Sequence, residues 1–171
     1  MNFKSVLKLL PLVVALLFGI YLGTTKFKLS DLINVQKSVG VGLSMTPNIL
    51  DGDKIRCVGG LLVKNSLKRG DIIVFMHPDD IENEDVQMAK RIIGLEGDTV
   101  EIIDKEVFIN GELLIEDYEI IPDWDGMPNV EPTLIGEGEA FVLGDNRKHS
   151  LDSRYPDFGL VDLDKFVCRI R

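Results

Sequence analysis

The feature that most limits this chain is an uncharged run of 17 residues, Leu9 to Thr25 (LLPLVVALLFGIYLGTT). Lys4 and Lys8 precede it, and Lys26 and Lys28 follow it. As a helix rising about 1.5 Å per residue it covers roughly 26 Å, slightly under a hydrocarbon core of ~30 Å. Flanking lysines reach outward and close that gap. Pro11 stands near the helix start, where a missing N–H does least harm. A cleaved leader is the competing reading, with Lys4 and Lys8 as its basic head. It needs a cut site near Gly23-Thr24-Thr25, yet no Ala-x-Ala occurs there, and the apolar run is long for a leader. The run is therefore read as a retained anchor over 9–25 behind a cytoplasmic stretch, 1–8. Lys26 and Lys28 oppose that orientation, but a long following domain crosses largely regardless of charge.

The chain of 171 residues suits one compact domain with a small appendage. Its 45% hydrophobic and 27% charged content is ordinary for a globular protein. The net charge of -9 argues against a nucleic-acid partner, since phosphate contacts need a basic face. Residues 26–37 read as a juxtamembrane connector with a helical turn or two capped by Ser30. From 38 to 171 the texture is mainly β: short runs at 53–58, 71–75, 86–93, 99–103, 106–110, 140–143 and 166–170 lie between Gly, Pro and Asp turns. Leu61 to Leu67 reads as another strand or part of a hairpin. Asn110-Gly111 is a two-residue hairpin signal. The acidic stretch 77–85 reads as a solvated loop, since it lacks the spacing of a calcium loop. The region 104–138 reads as an irregular cap. Cys57 and Cys168 are too few and too distant for a disulfide scaffold or a zinc site. Both fall in expected strands as buried free thiols, with one disulfide left open.

Three segments carry possible chemistry. In Gly40-Val41-Gly42-Leu43-Ser44-Met45-Thr46-Pro47 the glycines permit close approach and Pro47 stiffens the turn, so Ser44 is presented. Alone, this reads as a structural turn. In VQMAKRII, alternation sets Lys90 between Met88 and Ile92 on one apolar face, opposite Ala89 and Arg91. A lysine there must reach solvent, pair, or lose its proton, and desolvation lowers its pKa. The third segment, Gly144 to Arg154, is dense in hydrogen-bonding groups directly after an apolar strand. Asp145, Asp152 and Arg154 can brace one another there.

Together these segments resemble the type I signal peptidases, the membrane-anchored leader peptidases of bacteria, in their single-anchor Gram-positive form. The resemblance rests on four ordered blocks: Ser44-Met45-Thr46-Pro47; Arg69 to Phe75; Lys90 to Leu95 with Gly97-Asp98; and Gly144 to Arg147 with Ser150, Asp152, Ser153 and Arg154. It implies a β-rich peptidase that removes signal peptides from exported pre-proteins after an Ala-x-Ala site. Ser44 would be the nucleophile and Lys90 its base. Ser150 would hold the Lys90 amine, and Asp145 with Arg154, joined by Asp152, would form a supporting ion pair. Gly40, Gly42, Met45, Ile49, Met88 and Ala89 would line the substrate pockets. No metal or cofactor is implied. The partners would be pre-proteins and membrane lipid, and the enzyme a monomer in the cell membrane.

A hydroxyl needs a base within reach, and neither His77 nor His149 is well placed to serve. Gly42 stands two residues before Ser44, where some relatives carry a serine, so the oxyanion hole is implied to be backbone only. Two departures stand out: Asn48 where the family usually has Thr, and Glu96 in place of a proline. Leu43, Met45 and Ile49 are also expected to rest on the bilayer. The alternatives are an anchored β module that binds without cutting, a self-cleaving repressor-type Ser-Lys protease, and a secreted β protein freed of its leader. The repressor type would need a DNA-binding domain where the apolar run stands.

Overall fold

The computed structural model describes residues 31–40, 42–79, 84–123 and 126–171. The anchor expected at 9–25, its flanking lysines and the Ser30 cap lie outside them. Among the described residues no helix is long and apolar enough to cross a membrane. The chain is mainly β. Its strands are β1 (Asn34–Val39), β2 (Lys54–Gly59), β3 (Ile72–Asp79), β4 (Glu84–Leu95), β5 (Thr99–Ile103), β6 (Glu106–Ile109), β7 (Glu112–Leu113), β8 (Val130–Leu134), β9 (Glu139–Leu143), β10 (Val161–Asp162) and β11 (Phe166–Ile170). One helical turn, α1 (Leu61–Lys64), follows β2.

The strands form a seven-stranded sheet, ordered β1-β2-β11-β3-β4-β9-β10, and a four-stranded sheet, ordered β7-β6-β5-β8. β4, at 12 residues, is the spine of the larger sheet. It pairs antiparallel with β3 from Ile72↔Arg91 to Asp79↔Glu84, and with β9 from Arg91↔Leu143 to Leu95↔Ala140. Its alternation sorts the core. Ile92 joins Ile73, Phe75 and Val142, with Met88 packed alongside, whereas Ile93 joins Val100, Ile102 and Phe141 at the second sheet. That second cluster approaches β4 at Gly94, where a Cβ would meet Ile135 and Val100 side chains at 2.6 and 2.7 Å.

Several expectations change. The connector becomes β1 from Asn34, paired with β2 along its whole length. The Leu61 run is the helical turn α1, with Val63 buried and Leu61 and Leu62 exposed. Strand pairing enters the acidic stretch as far as Asp79 and Glu84. Residues 104–138 hold β6, β7 and β8, which complete the second sheet with β5. Asn110-Gly111 turns the β6–β7 hairpin with φ of 54° and 82°, the left-handed pair that a two-residue turn requires. Cys57 and Cys168 are not free thiols: they form a disulfide between β2 and β11 with Cα atoms 5.5 Å apart. Both are buried with Val74, and Ala89 packs against them.

Candidate active site

Ser44 stands on a turn between β1 and β2. The turn is closed by Thr46 N–H donating to the Leu43 carbonyl and Ile49 N–H to the Met45 carbonyl. Its Thr46–Pro47 peptide bond is cis. Lys90 lies in β4 opposite Ile73, with the sheet continuing on both sides of the position that follows it. The side chain is 1% exposed. Its Nζ donates to Ser44 Oγ at 3.0 Å and to the Ala89 carbonyl at 3.2 Å. Burial pushes Lys90 from its ordinary 10.5 down to about 8; Asp152 resists this, Arg154 adds to it, and Asp145 resists. A hydroxyl and an easily deprotonated amine thus share one hydrogen bond.

The register explains how the third segment arrives. Arg91 pairs with Leu143, the last residue of β9, so the chain leaves the sheet beside Arg91 and Asp145 follows two residues later. Arg91 grips the fully buried Asp145 through both Nε (2.8 Å) and Nη2 (2.6 Å). Arg154 grips Asp152 in the same way, at 2.7 and 2.9 Å, and both of those side chains are wholly buried. The expected pairing of Asp145 with Arg154 is therefore corrected: each carboxylate has its own arginine. Asp152 Oδ2 also accepts the Gly144 N–H at 3.0 Å. Gly144 admits no side chain, because a Cβ would meet the Ser44 carbonyl oxygen at 2.5 Å and Ser150 Oγ at 2.2 Å. Ser150 Oγ is buried but has no hydrogen-bond partner among the described residues, so the expected bond to the Lys90 amine is not formed.

Asn146 holds the Ser44 turn twice. Its N–H donates to the Ser44 carbonyl at 3.0 Å, and its Nδ2 to Thr46 Oγ1 at 2.8 Å. A stretch of the expected cap is sewn over the same loop. Ile121 N–H donates to the Asp145 carbonyl, and the Ile121 carbonyl accepts from Arg147 N–H. Glu116 pairs with Arg147 and accepts from the Tyr118 hydroxyl. The Tyr118 ring covers the Arg91 guanidinium at 3.8 Å. Burial and the Glu116 bond hold that hydroxyl protonated, far above its ordinary value.

A cleft of about 330 Å³ opens beside the pair. Gly40, Gly42, Met45, Ile49, Met88 and Ala89 line it, as expected, and so do Ile55, Val74 and Gln87. Met45 and Ile49 are 4% and 8% exposed, so they turn inward and cannot rest on a bilayer; Leu43 alone of the three is exposed. Sequence reasoning missed Arg91, Glu116, Tyr118 and the clamp made by Asn146. Glu116 and Tyr118 meet Arg147 and Arg91 from positions remote in sequence, and no local pattern marks them. Arg91 and Asn146 lie within the ordered blocks, but only the fold reveals their hydrogen bonds.

The family model described as signal peptidase, peptidase S26, matches residues 10–171. A signal peptidase I of Bacillus licheniformis is 35% identical over 128 residues, covering 71% of this chain and 66% of that protein. The signal peptidase I T of Bacillus subtilis strain 168 is 32% identical over 135 residues, covering 74% and 66%. The match thus spans about two thirds of the length of these Bacillus relatives. The crystal structure of a signal peptidase I from Enterococcus faecalis V583 is similar at 35% identity and a TM-score of 0.51, covering 62% of this chain and 97% of that one.

Proposed function

The chain belongs to the signal peptidase family, peptidase S26, and from that premise we propose that it is a membrane-bound serine endopeptidase that removes signal peptides from exported pre-proteins after an Ala-x-Ala site. The observation that carries this reading is the 3.0 Å bond between Ser44 Oγ and the buried amine of Lys90. Neutral Lys90 takes the Ser44 proton as Oγ attacks the carbonyl of the scissile bond. The Ser44 N–H stabilises the oxyanion, and Gly42 contributes no hydroxyl to it. Protonated Lys90 then passes its proton to the departing amine. Water deprotonated by Lys90 cleaves the resulting acyl-enzyme ester and frees Ser44.

Substrate binds as an added strand. β4 pairs with β9 only from Arg91 onward, so among the described elements its edge at Val86–Ala89 is free on that side. Apart from Gln87 and Lys90, the 330 Å³ cleft beside that edge is lined by small and apolar residues, which suits the small side chains before the cut. The Cys57–Cys168 disulfide supports an extracytoplasmic catalytic domain, since such bonds persist in oxidising compartments. A single anchor at 9–25, a cytoplasmic N-terminus and a monomeric state complete the proposal.

The test is cleavage of a pre-protein with an Ala-x-Ala junction by detergent-solubilised protein, beside Ser44→Ala and Lys90→Met. The wild type cuts after the second Ala, and each folded variant is slower by at least about 10³-fold. Binding of the pre-protein without any cut would favour the non-catalytic module instead.

A further inference from the structure

Asn48 is exposed on the nucleophile turn, four residues after Ser44, yet both hydrogens of its amide nitrogen are engaged. Nδ2 donates one hydrogen to Asp145 Oδ2 at 2.9 Å and the other to the Glu119 carbonyl at 2.7 Å. Asp145 is the carboxylate that Arg91 grips with two bonds, and Arg91 adjoins Lys90 on β4. A continuous path therefore runs from the nucleophile's turn through Asn48, Asp145 and Arg91 to the base's strand. The second hydrogen ties the same side chain to the 116–121 stretch, whose Tyr118 covers Arg91. Asparagine suits this node because one amide nitrogen offers two hydrogens in a fixed plane. A threonine hydroxyl offers one, so it can donate to only one of the two acceptors.

We propose that Asn48 is a positioning residue: it fixes the turn bearing Ser44 against the Arg91–Asp145 pair and so sets the reach between Ser44 and Lys90. This rests on the peptidase reading above. A looser link lengthens the proton-transfer contact, and small misplacements of reacting atoms lower rates steeply. The pocket walls on the same turn, Met45 and Ile49, are held by their own burial. Loss of Asn48 therefore lowers kcat and leaves KM nearly unchanged.

The experiment compares the wild type with Asn48→Ala, Asn48→Asp and Asn48→Thr on the Ala-x-Ala pre-protein. The Ala variant loses kcat by about tenfold or more with KM within about twofold. The Asp variant keeps the shape but sets a carboxylate against Asp145 and a carbonyl, and falls at least as far. The Thr variant lies between them and the wild type. Undiminished kcat in the Ala or the Asp variant overturns the proposal. So does a loss confined to KM, which would set Asn48 against substrate. Should the Ala variant not fold, the near-isosteric Asp variant decides. Should the wild type cut nothing, the peptidase reading fails by itself, and an NMR titration of the Lys90 side chain decides on Asn48. The charged neighbours of Lys90 are Asp152, Arg154 and Asp145. In the Ala variant its midpoint moves up from about 8 as water enters; an unmoved midpoint overturns the proposal.

Discussion

The turn that carries Ser44 and the strand that carries Lys90 meet at one hydrogen bond but are built by opposite means. The strand is held by backbone ladders, to β3 from Glu84 to Arg91 and to β9 from Arg91 onward. Lys90 could hardly move without dismantling the sheet, and its chemistry is set by burial. The turn has no strand partner. It is held by a few directed bonds from Asn146, Asn48 and its own Thr46. The difference teaches a division of labour: the sheet tunes the Lys90 amine, and polar side chains aim the Ser44 hydroxyl. Damage on the strand side should appear first as altered stability or titration, and damage on the turn side first as altered rate.

The harshest way to break this contrast is at the buried pairs behind the base. Asp152→Ala leaves Arg154 wholly buried without its carboxylate. About 3–5 kcal/mol of stability should go, read as a lower urea midpoint; an unchanged midpoint would show that the pair braces nothing. Lys90→Met comes next. The folded pKa, about 8, lies below the unfolded 10.5. The folded chain therefore binds fewer protons between those values, and stability rises with pH across that window. The penalty, about 3 kcal/mol, is fully present below pH 8. Lys90→Met should thus be inactive but more stable at pH 7, with the advantage gone by pH 11. The same titration makes the wild-type kcat/KM climb about tenfold per pH unit up to about 8 and then level off. A flat profile would rule out the lysine as base. The smallest effect lies on the turn. Asn146→Ala removes the bond to Thr46 Oγ1 and the bond that Oδ1 accepts from His149 N–H, but keeps the N–H bond to Ser44. Stability should fall by only about 1 kcal/mol, while the rate drops several-fold; a stability loss larger than the rate loss would erase the contrast.

Alternation and turn residues made the longer strands legible, as with VQMAKRII in β4 and the Asn110-Gly111 hairpin. The same signals failed where an element is short. Leu61-Leu62-Val63 has too few residues to separate a strand from a helical turn, and β7 has only two residues. The site was legible where residue types are unusual for their setting, as with a lysine on an apolar strand face or a serine among glycines. It was illegible where partners are chosen by register. Arg147 and Arg154 are both nearer to Asp145 in sequence, yet Arg91, 54 positions away, takes that carboxylate because β4 and β9 pair at Leu143. The thiols became a disulfide for the same reason: β2 and β11 are neighbours in the sheet although 111 positions separate the cysteines.

That last bond has a topological consequence. It closes the backbone into a ring from Cys57 to Cys168. Lys90, Arg91, Asp145, Asp152 and Arg154 all ride on the ring, and Ser44 sits on the tail that leads into it. A single clip between Leu114 and Asp117, say, would open the ring without parting the molecule. Lys90, the two arginines and Ser44 would remain one covalent body. For a protein proposed to carry its own peptide-cutting chemistry, that is insurance against its own errors.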